Sequence, residues 1–317
     1  MIDTPLCPAR PLEEEVRRAA GCLLEDAQER LANGGDIDSA VHESRKRLKE
    51  VRSLLRLLRN HVVDADGKAI RKRENEALRT IATNLTEARE AAVAAKTFKA
   101  LVKRHPDELS GDVFDDLARR LDVRHAQVAT ATSIARVNDA IAQLADVRQR
   151  AASWSVSRGD WKAFEPGLAK AYGDGRDCFR SLRKATKAGK AKQVDPEVWH
   201  DWRKRAKDLR YSLEFLRDAH AELVGGLVRV TKSLTDALGD DHDLAELDLL
   251  LRAGRDDQLR DLDPAAVARV GELAHADREA LQADALVLGW LLYVEKPDAF
   301  AKRIGTYWTV AAATGAD

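Results

Sequence analysis

His42, Arg45, Lys49, Arg52, Arg56 and Arg59 recur every three or four residues within VHESRKRLKEVRSLLRLLR, positions 41–59. On a helix turning about 100° per residue, these side chains share roughly 100° of arc. Leu48, Val51, Leu55 and Leu58 occupy the neighbouring arc, so a core-facing stripe lies beside a cationic one about 25 Å long. Guanidinium forks grip phosphate or carboxylate oxygens bidentately, and lysines add point charge. Cations repeated every turn, about 5–6 Å apart, suit a linear polyanion with a charge on each unit.

The array occurs twice. HESRKRLKEVR (His42–Arg52) and HDWRKRAKDLR (His200–Arg210) share His-x-x-Arg-Lys-Arg-x-Lys-acid-aliphatic-Arg without a gap, 158 residues apart. In the second copy His200, Arg203, Lys207, Arg210 and Arg217 share a face beside Leu209, Leu213 and Leu216, with Glu214 at the place of Arg56. The helix after the first basic one adds Lys68, Lys72 and Arg79 at helical spacing, and Lys232 is the counterpart of Arg79. LTEARE (Leu85–Glu90) and LGDDHD (Leu238–Asp243) likewise correspond, 153 residues apart. An internal duplication with two like-built halves, 10–152 and 160–311, is expected.

Like charges one turn apart cost about 0.2–0.5 kcal/mol per pair. Acids on neighbouring helices could offset that as solvated ion pairs, which is the ordinary situation in helical proteins. A duplicated array favours an anionic ligand instead. Aromatic residues for stacking bases are sparse along the stripe, and Trp199 and Trp202 fall nearer the apolar face, so a phosphate chain without bases fits better than DNA or RNA. A lone histidine at a helix start usually caps or packs. Two at equivalent places suggest imidazolium groups in a phosphate site, with affinity expected to rise as pH falls from about 8 to 6.

Helices must position these side chains, and helix signals dominate the rest of the chain. Asp195-Pro196 and Asp263-Pro264 mark helix starts; Gly34-Gly35, Asp66-Gly67 and Ser110-Gly111 mark ends or turns. The predicted helices cover 11–32, 37–62, 68–104, 112–151, 160–190, 196–219, 221–253, 264–296 and 298–311, with Ser153–Asp160 as the boundary between halves. Lys plus Arg number 53, as do Asp plus Glu, so positive surface must arise by local clustering. Cys7, Cys22 and Cys178 lack CxxC spacing, which fits a reducing compartment and no zinc site. No signal peptide is visible, and the longest uncharged apolar run, ALVLGWLLYV (Ala285–Val294), is too short to span a bilayer. A cytoplasmic protein with no membrane partner is expected.

With these motifs the sequence resembles the CHAD family of histidine-bearing α-helical domains. The residues concerned are VHESRKRLKEVRSLLRLL and WHDWRKRAKDLRYSLEFL, supported by LTEARE, LGDDHD and GLAKAYGDGR (Gly167–Arg176). The resemblance implies an all-α fold of two antiparallel four-helix bundles related by a pseudo-two-fold, with a basic central cleft or pore. It implies non-catalytic binding of inorganic polyphosphate, with polyphosphate granules as the expected location and no cofactor or metal. Binding roles carry onto His42, Arg45, Lys46, Lys49, Arg52, His200, Arg203, Lys204, Lys207 and Arg210. Arg56, Arg79 and Lys232 join them from helical geometry. Arg47 and Arg205 point nearer the apolar side and are expected to pair with buried acids. The family's Arg-Asp near the end of the third helix reads Arg89-Glu90 in one half and His242-Asp243 in the other, which leaves their roles open.

Two other readings compete. His200, His242-Asp243 and Asp261 have the order of an H…HD…D metal set in all-α phosphohydrolases. Against it, Arg203, Lys204 and Lys207 surround His200, and Arg89 occupies the place of His242. The same cations would also serve a scaffold for an acidic protein or RNA.

Overall fold

The computed structural model describes residues 4–33, 36–85, 87–131, 134–187, 195–254 and 257–315. These form an all-α protein. Among the described residues eleven α-helices follow in order: α1 (Leu12–Asn33), α2 (Ile37–Leu58), α3 (Arg71–Asn84), α4 (Glu87–Arg104), α5 (Asp112–Ala131), α6 (Ile134–Ala151), α7 (Glu165–Lys187), α8 (Pro196–Phe215), α9 (Ala221–Ala253), α10 (Pro264–Leu292) and α11 (Pro297–Thr314). Asp36, Asp195 and Asp263 cap α2, α8 and α10 by accepting from backbone N–H groups two residues on, and Pro196 and Pro264 open the last two.

One expected helix is broken. Within the segment 68–104, α3 ends at Asn84 and α4 begins at Glu87. Asn84 has a side chain that competes for backbone groups and weakens a helix interior. The segment expected at 112–151 is helical as α5 and α6, and residues 132–133 between them lie outside the described residues. Lys68 is not helical. Gly67 turns the chain with φ 74°, Asp64 Oδ1 accepts from the Lys68 N–H at 2.9 Å, and α3 begins only at Arg71. The segment placed between the halves is no free linker either: β2 (Ser155–Val156) pairs antiparallel with β1 (Val62–Val63). Arg17 Nε on α1 donates to the Trp154 carbonyl at 2.6 Å, fastening this segment further.

Buried apolar residues separate into two clusters. The larger joins both halves of the sequence, with Leu48 and Leu55 of α2, Leu144 of α6, Trp202 and Leu209 of α8, Leu238 of α9, Leu292 of α10 and Phe300 of α11. The smaller holds Phe98 and Leu101 of α4, Leu117 of α5, Leu244 and Leu251 of α9, and Val270 of α10. α9 and α10 run antiparallel through both, and where they pass from one to the other the buried Asp241 accepts from Arg278 at 3.0 Å and Gln282 at 2.8 Å.

α2 and α8 pack against each other. Arg45 and Lys49 line one cavity with His200 and Arg203, while farther along Ser53 Oγ donates to the Asp208 carbonyl at 3.1 Å. α7 closes over the far end of α2 at Gly167, where any Cβ would collide with the Leu57 carbonyl. Alanine is favoured over glycine inside a helix by about 1 kcal/mol, but backbone cannot yield as a side chain can. Gly167→Ala should therefore destabilise the protein by about 1–3 kcal/mol, read as a lower denaturant midpoint at unchanged m-value; a stabilised variant would show that α7 is free to back away.

Candidate anion site

Between the two apolar clusters sits a polar cavity of about 320 Å³. α2 contributes Arg45 and Lys49, α5 Arg124, α8 His200 and Arg203, and α9 His242, Asp243 and Glu246, with Val93 and Ala94 of α4 and Leu247 and Leu250 of α9 as apolar wall. The residues Arg45 and Arg203 are counterparts in the repeated motif, and the packing of α2 against α8 brings them to one place. The Arg45 guanidinium donates to the Ala82 carbonyl at the end of α3. Arg203 lies 3.8 Å from Asp243 with only 13% of its side chain exposed. The lining holds four Lys or Arg side chains against two carboxylates, a local excess in a chain of zero net charge.

His200 and His242 stack with ring centroids 4.2 Å apart, tilted by 31°. Burial, with repulsion from Arg203, His200, Lys207 and Lys204, depresses His242 to about 3. Burial first, then Lys204 and Arg203 against the opposing pull of Glu197, holds His200 below its usual value. Both rings are thus neutral near pH 7, and the buried Nδ1 of His200 has no hydrogen-bond partner among the described residues. The two rings do not carry the imidazolium charge expected of them; an anion beside them would have to supply the stabilisation for that.

The remaining basic residues divide by surroundings. Past the cavity, Arg52 donates to Asn75 Oδ1 at 2.9 Å, and burial together with the nearby Arg56 and Arg79 lowers its pKa against the pull of Asp208. Arg56 pairs with Asp208 at 2.5 Å. Exposed Arg79 extends this positive edge on α3. Lys207 is half-buried near His242. His42 lines an adjoining depression with Asp36, Asp38, Lys96 and Asp240. Four cations turn to acids on their own helices: Lys46 to Glu43 (3.7 Å), Lys204 to Glu197 and Asp201 (3.1 Å each), Arg210 to Glu214 (2.8 Å) and Lys232 to Asp236 (2.6 Å).

Arg47 meets Asp26 at 2.8 Å and the buried Glu50 at 3.0 Å, the pairing its helical angle indicates. Arg205 reaches only the half-buried Asp174, at 4.0 Å. The side chain of Arg89 lies outside the described residues. Arg124 and Glu246 were missed by sequence reasoning, since neither belongs to a repeated motif. Asp261 does not line the cavity, and among the described residues no three His, Cys, Asp or Glu side chains converge as metal ligands. None of the described helices is long and apolar enough to cross a membrane.

An all-α protein with a cationic cavity where two basic helices pack against each other is the class that fold and site define. The model of the CHAD domain matches residues 16–252, and the chain belongs to that family. Its fold is similar to that of PptA from Streptomyces chartreusis, with TM-score 0.60 and 16% identity over 89% of this chain and 100% of that one. It is also similar to the crystal structure of the CHAD domain from the plant Ricinus communis, with TM-score 0.57 and 17% identity over 96% of this chain and 94% of that one. No curated protein matches the sequence.

The depressed histidines have a consequence for stability. An unfolded imidazole takes up its proton near pH 6.5, whereas folded His242 does so only near 3. Between those values the unfolded chain binds more protons, so acidification favours unfolding. The thermal midpoint of the ligand-free protein should fall as pH drops from 7 to 5, and His242→Gln should flatten that dependence. An equally steep profile in the variant would mean that His242 is accessible to protons in the folded state.

Proposed function

We propose that this chain binds inorganic polyphosphate without chemically altering it. The observation that carries the reading is the convergence of Arg45, Lys49, Arg124 and Arg203 on one cavity beside two neutral histidines. Among the described residues four cations and two acids line this place, a composition suited to an anion, and the wall between them is partly apolar, which strengthens each charge contact. The cluster of Arg52, Arg56 and Arg79 gives a chain leaving the cavity further cationic partners along α2 and α3. No Phe, Tyr or Trp is among the cavity's lining residues, so bases would find nothing to stack on.

The proposal includes the architecture behind the cavity. α1, α2, the broken pair α3–α4 and the segment of α5 and α6 would form one four-helix unit, and α7, α8, α9 and α10 its duplicate. The basic cleft would then be the place where the two units meet. The protein would act in the cytoplasm, on polyphosphate granules, with no need of metal or cofactor.

Calorimetry with long-chain polyphosphate, short phosphates and matched single-stranded RNA, each at two salt concentrations, tests this. Polyphosphate should bind with a steep salt dependence, because each neutralised phosphate releases counterions. Arg45→Gln/Arg203→Gln removes two charge-assisted contacts worth about 1.5–3 kcal/mol each and should weaken binding about 10²- to 10⁴-fold in a folded protein. Equal affinity for RNA would favour a general acidic-partner scaffold, and turnover of polyphosphate dependent on added metal would favour the hydrolase.

Binding should also strengthen with acid. The anion raises the pKa of His200 and His242 above their depressed values, so the complex takes up protons. Because the ligand-free rings stay neutral below pH 6.5, the gain should continue beneath that value rather than end near 6. Affinity that is flat from pH 7 to 5.5 would take both histidines out of the site.

A further inference from the structure

Farther along α2 and α8, past the contact of Ser53 with Asp208, a second depression of about 170 Å³ lies under α7. Five cations border it: Arg56, Arg59, Arg71, Lys170 and Arg205. Only two acids face them, Asp174 and Asp208, and both are engaged. Asp208 holds Arg56 at 2.5 Å; Asp174 holds Lys170 at 2.9 Å and lies 4.0 Å from Arg205. Arg59 and Arg71 form no ion pair with any described residue, and the buried Nε atoms of Arg56 and Arg71 have no hydrogen-bond partner among them.

Two backbone features add to this charge. Arg59 closes α2 with φ 52° and ψ −114°, a conformation that favours glycine, yet an arginine stands there. α3 starts at Arg71, and its N-cap residue Ile70 offers no side-chain cap, so the first-turn N–H groups keep the positive end of the helix dipole uncompensated by a cap.

The depression is not part of the repeated array. At the 158-residue offset Arg56 corresponds to Glu214, and Arg205 to Arg47, which Asp26 and Glu50 already neutralise. The two related places therefore differ in charge at these two positions, although Arg217 corresponds to Arg59.

We propose that this depression is a second anion site that takes one or two phosphoryl groups. The source is either free phosphate or pyrophosphate, or the terminal unit of a longer chain; the latter alternative rests on the polyphosphate reading, and the former does not. Arg59 and Arg71 supply the guanidinium contacts, and Lys170 and Arg205 balance the remaining charge from α7 and α8.

Titration of the full chain with inorganic phosphate, pyrophosphate and long-chain polyphosphate tests the site in three proteins: Arg59→Gly, Arg71→Gln and Arg45→Gln/Arg203→Gln. Arg59→Gly is the informative variant, because glycine relieves the positive φ and the fold is kept while the charge is lost. Pyrophosphate should bind the native chain at one site, about tenfold or more weakly in Arg59→Gly and Arg71→Gln, and unchanged in the Arg45/Arg203 variant. If pyrophosphate and phosphate fail to bind but long-chain affinity drops as much in the first two variants, the source is a chain end. Binding of all three anions unaltered by Arg59→Gly and Arg71→Gln overturns the proposal and leaves these cations as partners of the α2 carbonyl terminus. Pyrophosphate binding in the absence of any long-chain binding would sink the polyphosphate reading and spare this site.

Discussion

Arginine cannot shed its charge on burial, and much of this structure follows from that constraint. A guanidinium moved between apolar layers needs an acid, a set of carbonyls or an external anion beside it. The same condition holds for acids, and the fully buried Glu74 meets Arg150 and Arg73 at 2.9 Å, as Asp241 meets Arg278. In the cavity between the two cores the Arg45 guanidinium meets the Ala82 carbonyl and Arg203 lies near Asp243, and among the described residues more cations than acids line it. Histidines there relieve the repulsion by staying neutral, an option no arginine or lysine has.

Overall neutrality and local positive charge are compatible because acids are placed selectively. Outward cations, Lys46 on α2, Lys204 on α8 and Lys232 on α9, each have an acid within one or two turns, and such exposed pairs contribute little stability. Their effect is on the field. Neutralising the periphery leaves the cavity, whose described lining has more cations than acids, as a low-dielectric recess where charge acts most strongly on an anion. The two basic helices are therefore not uniform tracks: one part of each faces the cavity and another part serves as structural or solvated ion pairs.

Near-symmetry of sequence does not become symmetry of environment. α9 is continuous, while the chain from Arg71 to Arg104 is divided into two shorter helices. A single replacement, Glu214 against Arg56, changes what each basic helix presents at its far end. Arg56 crosses to Asp208 on α8, whereas Glu214 is held by Arg210 one turn away on the same helix.

Helix starts at Asp195-Pro196 and Asp263-Pro264, the all-α class and the cationic stripe beside an apolar one were legible in the sequence, because each depends on residues within a turn or two of one another. The pairing of Arg47 was legible for the same reason. The break within 68–104 was not, since helix-forming residues on both sides outweigh a few Thr and Asn in any local count. Nor could the sequence tell which cations face the cavity: Arg203 and Lys204 are adjacent, and only the course of α9 beside α8 turns one inward and leaves the other to Glu197. Arg124 and Glu246 reach the cavity from helices with no repeated motif, and the neutrality of His242 arises from burial and four cationic or histidine neighbours. Local periodicity determined which residues could share a helix face; packing between helices distant in sequence decided which of those faces meet, and with them the charge the site carries.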